Sequence, residues 1–128
     1  MSAKSLLFQA LINDIGVTNR VGFDSNNNPK IYQSWHDSKR GYPQITITRV
    51  AESGESHGDN ETEVLATIMQ IDIWTNNSPT NLEDAVKLAV YNNIPSNQRS
   101  KTRSILDEYE SQDKLYRVTL QTIIYEVQ

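Results

Sequence analysis

His36 and His57 are the two histidines of this 128-residue chain, so they are the first candidates for acid–base or metal chemistry. Neither has a partner at the four-residue spacing by which a helix presents two zinc ligands. His36 precedes Asp37, but adjacent side chains of an extended chain point in opposite directions and form no proton relay. We therefore expect both histidines to lie in exposed loops.

Acidic residues form two further candidate groups. Asp59, Glu61 and Glu63 alternate along the chain, as calcium ligands can, but the twelve-residue loop with a central glycine and a distal glutamate is absent. A second group lies within residues 107–113, where nothing fixes the spacing of the carboxylates. We interpret both groups as solvated surface.

Other reactive motifs are also missing from the sequence. The chain has no cysteine, which excludes disulfides, thiolate catalysis and cysteine-ligated zinc or iron–sulfur clusters. Its five glycines are scattered and form neither a phosphate-binding loop nor a nucleophile elbow. We predict a protein that is not an enzyme, with no catalytic residue, cofactor or metal.

Arg99, Lys101 and Arg103 alternate in a polar segment and could contact phosphates. However, no aromatic residue is interleaved to stack on bases, and a general nucleic-acid binder is expected to be basic, whereas this chain has a net charge of −4. A solvated loop or a contact with an acidic neighbour is favoured over nucleic-acid binding.

The charge is unevenly distributed along the chain. Residues 1–50 carry a net charge of +3, and residues 51–128 carry −7. Patches of opposite sign suit a protein whose neighbour is another copy of itself.

Hydrophobic periodicity predicts the main elements of the fold. Apolar residues at helical spacing predict a first helix over residues 3–15, ended by Gly16. Alternating apolar residues predict strands over residues 42–50, 63–75 and 114–127. In the strand at 63–75 both faces are partly apolar, which is typical of a central strand.

A second helix is predicted between strands. Thr80 and Glu83 fit a capping box that starts it, and Pro95 stops it. Residues 17–35 suggest a hairpin or an extended arm, with a turn at 24–29.

Two segments lack a regular pattern. Residues 51–62 contain Gly54 and Gly58 and several acids, and we predict a mobile acidic loop. Residues 96–113 are ambiguous, and their apolar residues could form one helical turn against the core. These residues are Ile105, Leu106 and Tyr109.

Helices and strands do not alternate strictly. We therefore predict a single α+β domain over residues 1–128, with a mixed or antiparallel sheet and helices packed mainly on one face. The sequence has no apolar run long enough to span a membrane, and its N-terminus has the pattern of an amphipathic helix and not of a signal peptide.

Three stretches in fixed order carry a family resemblance. They are "YPQITITRV", then "IMQIDIWTNNSPTNLEDAVKLAVYNNI" after the acidic loop, and a closing "YRVTLQTIIYEV" that contains Tyr125, Glu126 and Val127. Together they resemble the tail terminator (tail completion) proteins of long-tailed bacteriophages, of the lambda minor tail protein U type. The resemblance covers most of residues 3–127 in element order and length, and little of residues 17–35 and 96–113.

The resemblance implies a non-enzymatic virion protein that is made in the bacterial cytoplasm and sits at the head-proximal end of the tail. Copies of the chain, six in that family, would form a ring that caps the finished tail tube and offers a surface to the head. The implied partners are the chain itself, the major tail tube protein and a head-completion or connector protein. DNA would pass through the lumen without specific binding, and no membrane would be involved.

Charged segments supply the interface candidates. We expect contacts through the basic loop, through the acidic loop, which would become ordered on docking, and through two cations of the 36–41 connector. The candidates are Arg99, Lys101, Arg103, Glu52, Glu55, Asp59, Glu61, Lys39 and Arg40. The alternatives are another phage neck component, such as a head-closure protein, a small non-enzymatic binding module and, last, an enzyme.

Overall fold

The computed structural model describes residues 2–55 and 64–127. It contains three α-helices and five strands, with short 3-10 turns at Ser38–Arg40 and Ser96–Gln98. In chain order the elements are α1 (Ala3–Ile12), α2 (Ile15–Val21), β1 (Ile31–Tyr32), β2 (Gln44–Glu55), β3 (Val64–Thr75), α3 (Thr80–Asn93), β4 (Arg103–Glu110) and β5 (Leu115–Val127).

The strands form one sheet in the order β1-β2-β3-β5-β4. β1 runs parallel to β2, and every other pair is antiparallel. The long strands β2, β3 and β5 lie in the middle, and β1 and β4 lie at the edges. The predicted single α+β domain with a mixed sheet is confirmed.

The hydrophobic core lies between the sheet and the helices. Ile71 of β3 pairs with Ile47 of β2 and Leu120 of β5, so their side chains share one face of the sheet. This face packs against apolar residues of all three helices in one cluster. The fully buried members include Leu7, Leu11, Val17, Ile45, Ile47, Met69, Ile71, Ile73, Val86 and Leu120.

The opposite face of the sheet is more polar. Gln70, Asp72 and Trp74 of β3 alternate with the core residues and point to this outer face, as their spacing predicts. Asp72 and Trp74 are buried on this face, where Trp35 and His36 of the segment after β1 pack on the Trp74 ring.

The predicted helix over residues 3–15 is divided in two. α1 ends at Ile12, and the Asp14 carboxylate accepts a hydrogen bond from the Val17 amide at 3.2 Å, which caps a new helix. Gly16 therefore lies inside α2 and does not end the first helix. α3 also starts differently from the prediction: it begins at Thr80, and no side chain caps it, so the capping box does not form.

Residues 17–35 contain α2 as well as the predicted turn. Phe23 and Pro29 form an antiparallel bridge, and the Asp24 carboxylate accepts hydrogen bonds from the amides of Asn26 and Asn28. The bond from Asn28 is the main cause of the lowered pKa of Asp24. The hairpin is wrong as a two-strand unit, because the residues after the turn pair in parallel with β2.

The start of the predicted acidic loop is also wrong. Residues 51–55 continue β2, which pairs with β3 as far as Glu55 opposite Val64. A bulge between Arg49 and Ala51 shifts the register. Residues 56–62 lie outside the described residues, so their mobility stays a prediction.

The helical turn suggested within residues 96–113 is wrong. Ile105, Leu106 and Tyr109 lie on β4, which pairs antiparallel with β5 from Arg103 to Glu110. A turn with Lys114 at a φ of 52° joins the two strands. Pairing with a neighbouring strand overrides the weak local pattern.

Candidate assembly interface

β4 forms an exposed edge of the sheet. Among the described strands it pairs only with β5, and all eight of its residues are exposed. Three are large and apolar: Ile105, Leu106 and Tyr109 are 49%, 40% and 52% exposed. A strand with one unpaired side and apolar side chains in solvent is a template for pairing with another chain. We call residues 103–110 the β4 edge.

Few contacts attach the β4 edge to the helix layer. The Ser104 hydroxyl donates a hydrogen bond to the Glu83 carboxylate of α3. The Tyr109 ring packs on Tyr116 of β5 with 4.6 Å between centroids. A bulge places Ile105 between the paired residues on either side of it, so its side chain is left at the surface.

The opposite edge of the sheet begins with β1, which pairs with only Ile45 and Thr46 of β2. In the described part of the chain, the rest of β2 from Ile47 to Glu55 has no strand on that side. We call β1 together with residues 47–55 the β1–β2 edge. Val50 lies at the bulge of this edge and is exposed.

Charged side chains flank the β1–β2 edge. The Arg40 guanidinium stacks 4.1 Å from the centroid of the Tyr32 ring. The Tyr32 hydroxyl donates to the Asp24 carboxylate at 3.2 Å, and burial raises the pKa of this tyrosine. Lys39 lies next to Arg40 and is exposed. The edge therefore carries cations held near its surface.

An aromatic cluster lies on the outer face of the sheet around Trp74 of β3. The His36 ring stacks on Trp74 at 3.8 Å, and Trp35 meets Trp74 edge-on at 5.1 Å. Trp74 donates from Nε1 to the Thr46 hydroxyl at 3.0 Å. We call Trp35, His36 and Trp74 the tryptophan cluster.

His36 is half-buried in this cluster, so the prediction of an exposed loop histidine is wrong for it. Its Nδ1 lies 3.2 Å from the Tyr42 hydroxyl. Burial, and then the nearby Arg117 guanidinium, lower the pKa of His36. Burial also raises the pKa of Tyr42. His57 lies outside the described residues.

Asp72 is the charged centre beneath the cluster. Its carboxylate, fully buried, accepts hydrogen bonds from Arg117 Nε at 3.0 Å and Gln70 Nε2 at 2.9 Å, and from the Thr119 hydroxyl. The Arg117 guanidinium also lies over the rings of Trp35 and Trp74. A buried, satisfied ion pair that ties β3 to β5 has a structural role.

The basic residues predicted for the interface have different roles. Arg99 donates from Nε to the Ile94 carbonyl at 2.9 Å and from a terminal nitrogen to the Tyr91 carbonyl at 3.1 Å, so it caps the end of α3. Lys101 and Arg103 are exposed, and Arg103 is the first residue of β4. The structure thus leaves two of the three basic side chains at the surface.

The predicted acidic candidates are separated. Glu52 lies on β2 and pairs with Arg49 at 3.0 Å on the surface. Glu55 is the last residue of β2. Asp59 and Glu61 lie outside the described residues. The interface role of all these charged candidates stays a prediction.

In residues 2–55 and 64–127, no group of three or more histidine or acidic side chains could hold a metal ion. Within the same residues, no helix is both long and apolar enough to cross a membrane.

The chain resembles known proteins in its fold. No family model matches the sequence, and no curated protein matches it. Among solved structures, the chain is similar to a chain of the "Virion of native gene transfer agent (GTA) particle", with a TM-score of 0.62 and 12% sequence identity. The match covers 99% of this chain and 96% of the other, so the two share a fold from end to end.

Proposed function

We propose that this chain is a structural component of a phage-like virion, and that it caps the finished tail tube as a ring of identical subunits. The observation that carries the proposal is the fold shared over 99% of the chain with a component of a gene transfer agent virion. At 12% identity this likeness concerns the fold, and the finer role rests on the sequence resemblance to tail terminators.

The stretches that carry this resemblance lie together in the structure. "YPQITITRV" leads into and forms the first half of β2, "IMQIDIWTNNSPTNLEDAVKLAVYNNI" spans most of β3 and all of α3, and "YRVTLQTIIYEV" is β5. These are the three central strands and the helix that contributes Leu82, Val86, Ala89 and Val90 to the core. The resemblance therefore concerns the centre of the domain and not peripheral segments.

The closed ring would act as a cap on the tail tube. Six copies would end tube polymerisation and present the joining surface for a head-completion or connector protein, while DNA passes through the lumen without specific binding. We assign no catalytic residue, cofactor or metal. The exposed β4 edge, with three large apolar side chains in solvent, supports a function that depends on protein contacts.

Electron microscopy tests the proposal. The purified chain is mixed with uncapped tail tubes from a phage whose gene cluster encodes it. We expect added density at one end of each tube, with sixfold symmetry in end views. Tubes from finished virions, whose ends are occupied, serve as the control and should take up no protein. Decoration along the tube, or no binding, would contradict the proposal, and binding to a connector but not to tubes would favour a head-closure role.

A further inference from the structure

We propose that β4 of one copy adds as a strand to the β1–β2 edge of a second copy, so that the sheets of neighbouring subunits become continuous. This inference deepens the proposed ring and rests on it for closure. The occupant of the β4 edge is therefore another copy of this chain, and the contact joins two different surfaces.

The first step is the exposure of the β4 edge. Monomeric proteins protect edge strands with covering loops, prolines, short length, bulges or charged side chains. β4 has a bulge and four charged residues, but it is eight residues long, contains no proline, and is exposed throughout. Apolar side chains that are 40–52% exposed at three of its positions leave a surface suited to burial against a partner.

The second step is the match in length between the two edges. β1 pairs with two residues of β2, which leaves nine residues, Ile47–Glu55, with one side of the strand open in the described part of the chain. β4 contributes eight residues, or about 26 Å of extended strand. One edge can therefore pair with the other over nearly its full length.

A cleft that opens next to the receiving edge could accept side chains of the added strand. Its volume is about 610 Å³, and it extends from Arg49 and Glu52 of β2 across Leu65 of β3 to Glu126 of β5, beside Lys4 of α1. Side chains on one face of an added strand project to the same side as those of the strand that it pairs with. Tyr109 or Ile105 of the neighbouring copy would be of suitable size for this cleft.

The third step is the difference in net charge between the two edges. Residues 103–114, which form β4 and its turn, contain four acids and two cations. Residues 20–41, which lead to and flank β1, contain four cations and two acids, and residues 47–55 contain one cation and two acids. The receiving edge with its flanking segment therefore has a net charge of +1, against −2 for residues 103–114. This difference favours the approach of the two edges and disfavours contact between two copies of the β4 edge.

The topology decides what such a contact builds. β4 and β1 are the first and last strands of one sheet. A contact between opposite edges leaves each subunit with one donor and one acceptor edge, which generates a closed ring or an open fibre. A contact of β4 with β4 would stop at a dimer.

Site-specific disulfide cross-linking tests the pairing, and the absence of native cysteine makes every introduced thiol unique. Single-cysteine variants are made at exposed positions on the two edges, Leu106→Cys and Glu108→Cys on β4, and Val50→Cys and Ala51→Cys on β2. Variants are mixed in β4 and β2 pairs at high concentration and oxidised. Asn92→Cys on the exposed side of α3 is the matched control.

We expect a covalent dimer from at least one mixture of a β4 variant with a β2 variant, since paired strands bring Cα atoms within about 6 Å. The yield of this dimer should exceed that of the mixtures containing Asn92→Cys at least tenfold. Adding Leu106→Lys to the Glu108→Cys variant should abolish the dimer that this variant forms with a β2 variant. Cross-links only between two β4 variants, or none above the control, would overturn the inference.

The microscopy of tube capping and the cross-linking of the edges test the two proposals independently. If tubes are capped but no mixture of β4 and β2 variants cross-links, the edge pairing is wrong and the proposed function stands. If the edges cross-link but tubes are not capped, the chain forms its own assemblies and the terminator role is wrong.

Discussion

Replacing Asp72 by alanine should lower the free energy of unfolding by about 3 kcal/mol. The carboxylate is fully buried and accepts hydrogen bonds from Gln70, Arg117 and Thr119. Without it, the guanidinium of Arg117, whose side chain is 24% exposed, loses its buried partner, and the Thr119 hydroxyl loses its acceptor. Unpaired polar groups in a buried site carry the full cost of their desolvation.

The size of this loss depends on the partners that Arg117 retains in the Asp72→Ala variant. Removing one partner of a buried ion pair costs about 3–5 kcal/mol. Arg117 also lies 3.5 Å from a carboxylate oxygen of Glu108, and its guanidinium lies over the rings of Trp35 and Trp74. We therefore expect the low end of the range, which corresponds to a fall in melting temperature of about 10 °C for a domain of this size.

Urea unfolding followed by tryptophan fluorescence measures this change, because Trp74 lies beside the pair. Glu108→Ala, which removes the exposed carboxylate near the same guanidinium, is the matched control and should cost under about 0.5 kcal/mol. Adding Arg117→Met to Asp72→Ala should recover part of the loss, because the unpaired charge is gone. A loss below about 1 kcal/mol for Asp72→Ala would refute this account of the buried pair.

Three further predictions concern single side chains. Because the pKa of His36 is lowered in the folded chain, protonation favours unfolding, so stability should fall as the pH drops from about 7 to 5, and His36→Phe should flatten this slope in urea titrations. If His36→Phe leaves the pH dependence of stability unchanged, other titrating groups cause that dependence. Arg99→Ala should cost about 1 kcal/mol by loss of its bonds to the end of α3, whereas Lys101→Ala should stay within about 0.5 kcal/mol in the same assay. Asp14→Ala should lower the free energy of unfolding by about 1 kcal/mol, and Asp14→Asn by much less, because the asparagine side chain can also accept the Val17 amide. Equal losses in the two variants would contradict a cap formed by the side-chain oxygen of residue 14.

The sequence predicts the centre of the fold because its signals there are local and long. Alternation along β3 correctly separates Ile71 and Ile73, which face the helices, from Asp72 and Trp74, which face outward. In α3 the buried residues Leu82, Val86, Ala89 and Val90 recur at helical spacing. These assignments depend on periodicity alone.

The edges of the sheet were not predictable in this way. The bulge at Ile105 places two apolar residues in sequence and hides the alternation of β4 from a period-two pattern. β4 exists because β5, which follows it after a short turn, supplies its hydrogen-bonding partner. β1 has two residues and depends on a parallel partner far along the chain, so its local sequence contains too little information.

The tryptophan cluster shows a different limit. His36 and Trp74 are 38 positions apart in the sequence, and their stacking follows from the path of the segment after β1 across the sheet. No spacing rule links them. The charge of Arg99 makes it an interface candidate in the sequence, but no local pattern indicates that its guanidinium donates to two carbonyls at the end of α3.

The acids of β4 help to explain why its exposed edge need not aggregate indiscriminately. If two β4 strands paired antiparallel in the register that sets Asp107 of one copy opposite Glu108 of the other, like charges would face each other. Like charges on facing strands are destabilising, and charged residues are a common protection of sheet edges. Such repulsion is weaker when the partner is the β1–β2 edge, where Lys39, Arg40 and Arg49 outnumber Glu52 and Glu55. The same side chains can therefore oppose a dead-end dimer and permit head-to-tail contact, which is the selectivity that a closing ring requires.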